Sequence, residues 1–264
     1  MSGHSKWSKI KRAKGAKDAK KGALFTKLAK NISLAAKEGG ADPDMNFTLR
    51  LAIDKAKVAN MPSDNIDRAV AKGAGGDNGD EISRVSYEAY GPDGVGIIID
   101  CQTDNTNRTV AEVRKLVEDS GGKIASQGSV SWKFAEKGLI SVAPAKLVKA
   151  EKYGAEDTYE AIDKEEAQLE LLEVEGVEDM SEISDEDDDG NTIELLELIT
   201  DKVDFAKVLK DVEQKKFKIH SAELIKTASE TITVDDKSKE KIENIVSNLE
   251  DHDDVDSVWT DMDS

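Results

Sequence analysis

The residues with the clearest chemistry stand at the start of the chain. Its first thirty residues hold ten Lys or Arg (Lys6, Lys9, Lys11, Arg12, Lys14, Lys17, Lys20, Lys21, Lys27 and Lys30) and one acid, Asp18. Ten positive charges less one negative leave +9 there, and the whole chain is −18, so the remainder carries −27. A basic arm on an acidic body points to a polyanionic partner. Each Lys or Arg placed on a phosphate releases condensed counterions, so such binding weakens steeply with salt. Trp7 and His4 stand among these cations. The indole suits either stacking on a base or anchoring the arm, and the imidazole suits a phosphate contact. The plainer alternative is a solvated basic terminus that aids solubility. The cations lack the regular spacing with Asn or Gln partners used for major-groove base reading. That favours recognition of a backbone by shape and charge, which suits structured RNA at least as well as an operator.

Other constellations offer less. Gly73-Ala74-Gly75-Gly76 lacks the following Gly-Lys-Ser/Thr of a phosphate loop, so Gly73, Gly75 and Gly76 are read as a hinge. Asp104-Asn105 before a helical pattern reads as an N-cap. Arg108 in the first turn of that helix opposes the helix dipole, which makes it a candidate ligand or RNA contact. Cys101 is the only cysteine and the three histidines (His4, His220, His252) are far apart, so neither a nucleophilic triad nor a metal-ligand spacing is expected. Glu173 to Asp189 holds ten acids in seventeen residues, without the ordered spacing of a calcium loop. No catalytic residue, cofactor or metal is expected. A single cysteine and the lack of a long apolar run fit a cytoplasmic, non-membrane setting.

The elements that would position these residues change character along the chain. Residues 1–22 are read as partly ordered. From Ala23, Leu24, Phe25, Leu28, Ile32, Ala35 and Ala36 recur at helical spacing until Gly39-Gly40. Asp42-Pro43 is read as the cap and first residue of a second helix, and Pro62 as the opening of a third that runs to Lys72. Beyond the glycine hinge the pattern turns to strands around Val85 and Tyr87 and at Val95 to Ile99. A helix follows from Asn105 to Ser120, then a strand from Gly128 to Phe134 with Trp132 and Phe134 expected in the core. Next come a strand at Gly138 to Val142, a helix over Val148 to Lys164 and the acidic tract as a solvated loop. A strand at Thr192 to Ile199, a helix at Phe205 to Gln214 and a strand at Ile219 to Ile225 follow. A last helix (Lys237 to Leu249) and strand (Val255 to Trp259) are placed to close the first sheet.

Several motifs together resemble the YebC family, which includes PmpR-type regulators and the mitochondrial translational activator of cytochrome oxidase subunit I. They are Gly3-His4-Ser5-Lys6-Trp7 with Ile10-Lys11, Asn60-Met61-Pro62-Ser63-Asp64-Asn65-Ile66 with Arg68-Ala69, Tyr87-Glu88-Ala89-Tyr90-Gly91-Pro92, Thr103 to Thr109, and Gly128-Ser129-Val130. Ala89 stands where the family usually has glycine, and the acidic tract looks longer than usual. The resemblance implies an α+β multidomain fold, with a three-helix N-terminal domain followed by two α/β sandwich-type domains, the second carrying the third as an insertion. The expected boundaries are 1–76, 80–136 with 229–264, and 137–228. It also implies a non-enzymatic role in gene expression, either on the ribosome, relieving stalls at proline-rich stretches, or on DNA as a transcriptional regulator.

The reading from sequence is therefore a monomeric nucleic-acid-binding protein with ribosomal RNA favoured over DNA as partner. Its expected contacts are His4, Lys6, Trp7, Lys9, Lys11, Arg12, Lys14, Lys17, Lys20, Lys21, Lys27 and Arg108. The alternatives are the DNA-binding regulator, and an adaptor whose acidic body binds a basic protein.

Overall fold

The computed structural model describes residues 17–76, 82–148, 158–186 and 191–263, with backbone alone for 17–20 and 186. The chain divides into two compact units, Met1–Ala135 with Lys226–Ser264, and Glu136–Ile225, the second inserted into the sequence of the first.

The first unit opens with three helices, α1 (Lys17–Gly39), α2 (Phe47–Val58) and α3 (Ser63–Ala71). Leu28, Ile32, Ala35 and Ala36 of α1 form a buried stripe that meets Leu49 and Ala56 of α2 and Ile66 and Ala69 of α3. α1 begins six residues before Ala23, because Lys and Ala in this stretch favour helix without showing any apolar period. The cap of α2 is Asn46, not Asp42. Asp42 and Pro43 form a turn, with the Asp44 and Asn46 amides donating to the Asp42 side chain and carbonyl. Asn46 Oδ1 accepts from the Leu49 amide at 3.1 Å, while its Nδ2 donates to the carbonyls of Ala35 and Gly40, both at 2.8 Å. One side chain thereby starts α2 and ends α1.

The same unit contains a four-stranded antiparallel sheet ordered β3-β1-β2-β9, from β1 (Ser83–Tyr90), β2 (Gly96–Thr103), β3 (Lys123–Ile124) and β9 (Val255–Thr260). Ile97, Ile99 and Cys101 alternate toward two helices, α4 (Thr106–Asp119) and α7 (Asp236–Glu250). α4 buries Val113 and Val117, and α7 buries Ile242, Ile245, Val246 and Leu249 at helical spacing. The opposite face of β2 joins the buried Ile98 to polar groups: Asp100 accepts from Lys226 and from Trp259 Nε1, and Gln102 donates to Asn31 of α1.

Residues 128–133 are a loop ending in a short 3-10 turn, not the expected strand. Glu88 explains it. Its buried carboxylate accepts from the backbone amides of Gly128, Val130 and Ser131. Burial alone would raise this carboxyl, but the three amide hydrogen bonds outweigh it and hold it below the ordinary range. Those amides are thus spent on Glu88 and not on a sheet ladder. Trp132, expected in the core, is 73% exposed. Its Nε1 donates to the Ser129 carbonyl at 2.9 Å.

The second unit holds a five-stranded sheet ordered β5-β4-β7-β6, with β8 also pairing β4. Its strands are β4 (Phe134–Val148), β5 (Thr158–Ala161), β6 (Val177–Glu186), β7 (Thr192–Asp201) and β8 (Phe217–Ala228). The helices are α5 (Lys164–Leu172) and α6 (Phe205–Gln214). Two expectations fail here. The helix expected over Val148 to Lys164 is replaced, where described, by β5, with α5 starting only at Lys164 behind an Asp163 cap. Most of the acidic tract is strand β6, because pairing with β7 buries Ile183 while Glu178, Asp179 and Glu182 stay exposed.

Glu88→Ala should leave three loop amides without their acceptor and destabilise the fold by about 2 kcal/mol. Urea unfolding checks it; an unchanged midpoint would mean that water satisfies those amides.

Candidate nucleic-acid interface

α1 sorts the cations. On the side next to its apolar stripe, Lys27 Nζ donates to the Glu250 carbonyl. Lys30 Nζ donates to Asp254 Oδ1 at 2.8 Å and to the Asp253 carbonyl at 3.1 Å. Asn31 Nδ2 donates to Asp256 Oδ1 at 2.7 Å. Burial lowers the Lys27 ammonium, and the nearby Asp256 and Glu250 carboxylates only partly counter it. Lys27, expected from sequence to contact nucleic acid, is held here against the end of α7.

Arg108 lies in the same cluster. Its guanidinium donates at 2.8 Å both to Asp104 Oδ1 and to Asp254 Oδ2. The Asp254 hydrogen bond leads in raising an already high pKa. Asp254 Oδ2 also lies 2.8 Å from the Thr109 hydroxyl and 3.2 Å from that of Thr103. Thr109 Oγ1 is 2.7 Å from Thr103 Oγ1 and 3.0 Å from the Asn105 carbonyl, and its single proton serves one acceptor at a time. Burial would raise the Asp254 carboxyl, but donation from Lys30, Arg108 and Thr109 holds it well below the ordinary aspartate range. The motif from Thr103 to Thr109 is thus a carboxylate cage. Asn105 is its helix cap, accepting from the Arg108 amide at 3.1 Å, as its position before a helical pattern implied.

Glu112, His252 and Asp254 bring three ligating atoms close together. Each already has a protein partner. His252 Nδ1 accepts from the Asp254 amide at 3.1 Å, so Nε2 carries the proton toward Glu112 at 2.9 Å. A metal would have to displace these bonds and the Asp254 cage. Cys101 is a core thiol: burial foremost, then Asp100, pushes it up to about 12.

A second set of cations faces outward. Lys21 Nζ stands 5.6 Å from the centroid of the Phe25 ring. Arg68 donates through Nε to the Asp64 carbonyl at 3.0 Å and through Nη2 to Asn65 Oδ1. Arg68 and Lys72 are exposed, with no carboxylate partner among the described residues. With Phe25 and Met61 they line an open groove of about 580 Å³ between α1 and α3. Sequence reading missed Arg68 and Lys72 as site residues, because their local charge is balanced by acids. The i,i+3 pairing of Asn65 with Arg68 was the available signal.

Of the other expected contacts, His4, Lys6, Trp7, Lys9, Lys11, Arg12 and Lys14 lie outside the described residues, and Lys17 and Lys20 are placed by backbone on the first turn of α1. Among the hinge glycines, Gly73 packs so tightly on α1 that an added Cβ would lie 2.1 Å from the Ser33 carbonyl oxygen. Gly75 takes φ 99°, a left-handed conformation, within the turn Lys72–Gly76.

Comparison with known proteins bears on this arrangement. The family model for the TACO1/YebC N-terminal domain matches residues 5–76, and that for the TACO1/YebC second and third domain matches 82–262. A probable transcriptional regulatory protein of Bacillus subtilis is 41% identical over 260 residues, covering 98% of both chains. A protein of the same description from Nitratiruptor is 41% identical over 262 residues, 99% of this chain and all of that one. A solved structure, a conserved hypothetical protein from Aquifex aeolicus, superposes with a TM-score of 0.79 at 33% identity, covering 98% of this chain and 97% of that one.

Asp254→Asn should destabilise the chain by about 2 kcal/mol at neutral pH, below the usual cost of breaking a buried pair because Lys30 and Arg108 keep some access to water. The folded-state carboxyl is depressed, so its stabilisation is complete above the ordinary aspartate value of about 4 and is lost as pH falls through the folded-state value. Unfolding free energy of the unsubstituted chain should accordingly fall more steeply below about pH 4 than that of Asp254→Asn. Parallel curves would show that the cage does not bind the charged form preferentially.

Proposed function

We propose that this chain, which belongs to the TACO1/YebC family, is a non-enzymatic regulator of transcription that binds DNA through its basic amino-terminal segment and the adjoining outward side of α1. The observation that carries the reading is the sorting of cations. Lys27, Lys30 and Arg108 are held by groups of the chain itself, whereas Lys21 is exposed on α1, the helix that continues from the most basic stretch of the sequence. The rest of the chain is strongly acidic and repels phosphate, which limits docking to that end. The relatives' names favour transcription as the level of control. No helix among the described residues is long and apolar enough to cross a membrane.

Binding of a labelled DNA duplex, followed by fluorescence anisotropy from 50 to 300 mM salt, tests the reading. Log affinity should fall linearly with log salt, and reversing Lys9, Lys11, Arg12 and Lys14 to Glu should abolish binding at the middle of that range, since four phosphate contacts contribute a slope of roughly 3.6. A chain that ignores DNA but sediments with ribosomal particles in a salt-sensitive way would replace transcription by translation. Retention of neither would favour the protein adaptor.

A further inference from the structure

The geometry points to the groove between α1 and α3 as a pocket for one unpaired nucleotide of a single strand, its phosphate on Arg68 and Lys72 and its base against Phe25 and Met61. This rests on the nucleic-acid reading and goes beyond it, since charge alone needs no pocket. Three features support it. The volume of about 580 Å³ falls in the range of roughly 300–1,000 Å³ typical of small-molecule sites. Its lining combines an apolar floor with a cationic rim, the combination that a base attached to a phosphate requires. Arg68 is also held in place: Asp64 and Asn65 take two of its five N–H donors and fix the plane, leaving the others for an anion.

Charge complementarity selects the occupant. Of the cations lining the groove, Lys30 is bound to Asp254, while Arg68 and Lys72 lack a carboxylate partner among the described residues. Lys21 adds positive charge beside Phe25. Among the described residues the one acid on the lining, Asp104, is paired with Arg108. An acidic peptide would satisfy the rim but leave the aromatic floor unused, and an apolar helix would leave the cations unused. A duplex keeps its bases stacked inside and presents only phosphates. An unstacked nucleotide, from melted DNA or from RNA, uses both.

The test compares binding of labelled dT12, rU12 and a twelve-base-pair DNA duplex by the full chain. Arg68→Ala with Lys72→Ala, both exposed and remote from the cores, should weaken dT12 or rU12 about tenfold and lower the salt slope for the single strand by roughly 1.4, two contacts at about 0.7 each. Duplex affinity should change less than twofold. Phe25→Leu keeps apolar bulk but not a stacking face. It should cost at least about fivefold on the single strand alone. Equal weakening of single strand and duplex by the Arg68/Lys72 change would reduce the groove to a basic surface and overturn the proposal. Unchanged single-strand binding in both variants would overturn it while leaving DNA binding by the arm intact. If the unsubstituted chain binds no nucleic acid at 50 mM salt, both readings fall. A gain in single-strand binding when Lys9, Lys11, Arg12 and Lys14 are reversed would instead assign the groove to the chain's own first residues. The difference between dT12 and rU12 identifies which kind of strand the pocket prefers.

Discussion

The carboxylate of Asp254 has an ammonium on one oxygen and a guanidinium with two hydroxyls around the other, drawn from α1, α4 and the end of β2. Removing an ionised aspartate from water is costly, and the cost is recovered only when its lone pairs meet charged, well-placed donors. Here they do, and three elements become dependent on one position. The turn after α7 is fixed by the same residue, whose amide is held by His252 and whose carbonyl accepts from Gln102. The helical region and the first sheet have separate apolar cores, and this polar junction ties the two together. Polar junctions specify geometry because a shifted helix would leave charges unpaired.

That junction also decides which cations remain for a partner. Lys27 and Lys30 sit one turn apart on α1 and both face the 250–254 turn. Lys21, on the first turns of the same helix, instead lies over Phe25 at the groove. A basic helix is thus divided between an internal role and an external one by the angular position of each residue. Counting charges along the sequence does not reveal which of them the chain itself uses. The division also explains why Arg108 tolerates an unfavourable place at a helix N-terminus: Asp104 and Asp254 provide more than the dipole takes away.

Local patterns carried much of the fold. The apolar stripe of α1, the turn at Gly91 to Gly94 and the spacing of Ile242, Ile245, Val246 and Leu249 are all determined by near neighbours and could be read from them. What was hidden depends on distant partners. Asp254 stands among several acids and nothing nearby distinguishes it; only Lys30 and Arg108, 224 and 146 residues away, do so. Glu88 within an alternating strand looks like an ordinary solvent-facing residue, yet it organises a loop some forty positions later and thereby turns Trp132 out of the core. The motifs that carried the family resemblance, Tyr87 to Pro92, Thr103 to Thr109 and Gly128 to Val130, supply these long-range hydrogen bonds. In the structure they hold the chain's own carboxylates, Glu88 and Asp254.

The acidic tract makes the same point with the opposite sign. Its composition argued for a solvated loop, because like charges resist compaction. Strand β6 forms nonetheless, since a strand needs only alternate positions for burial and Ile183 supplies one beside the exposed Glu182. Glu182 is balanced by Lys164 and Gln168, and Glu178 by Lys137, which relieves the repulsion along the ladder. Among the described residues β6 pairs only with β7 and so lies at the edge of its sheet. An unpaired edge invites strand addition, and negative charges along it oppose that outcome for any neutral or acidic chain. The charge also repels nucleic acid. The tract that seemed least able to fold therefore guards a sheet edge with its own charge.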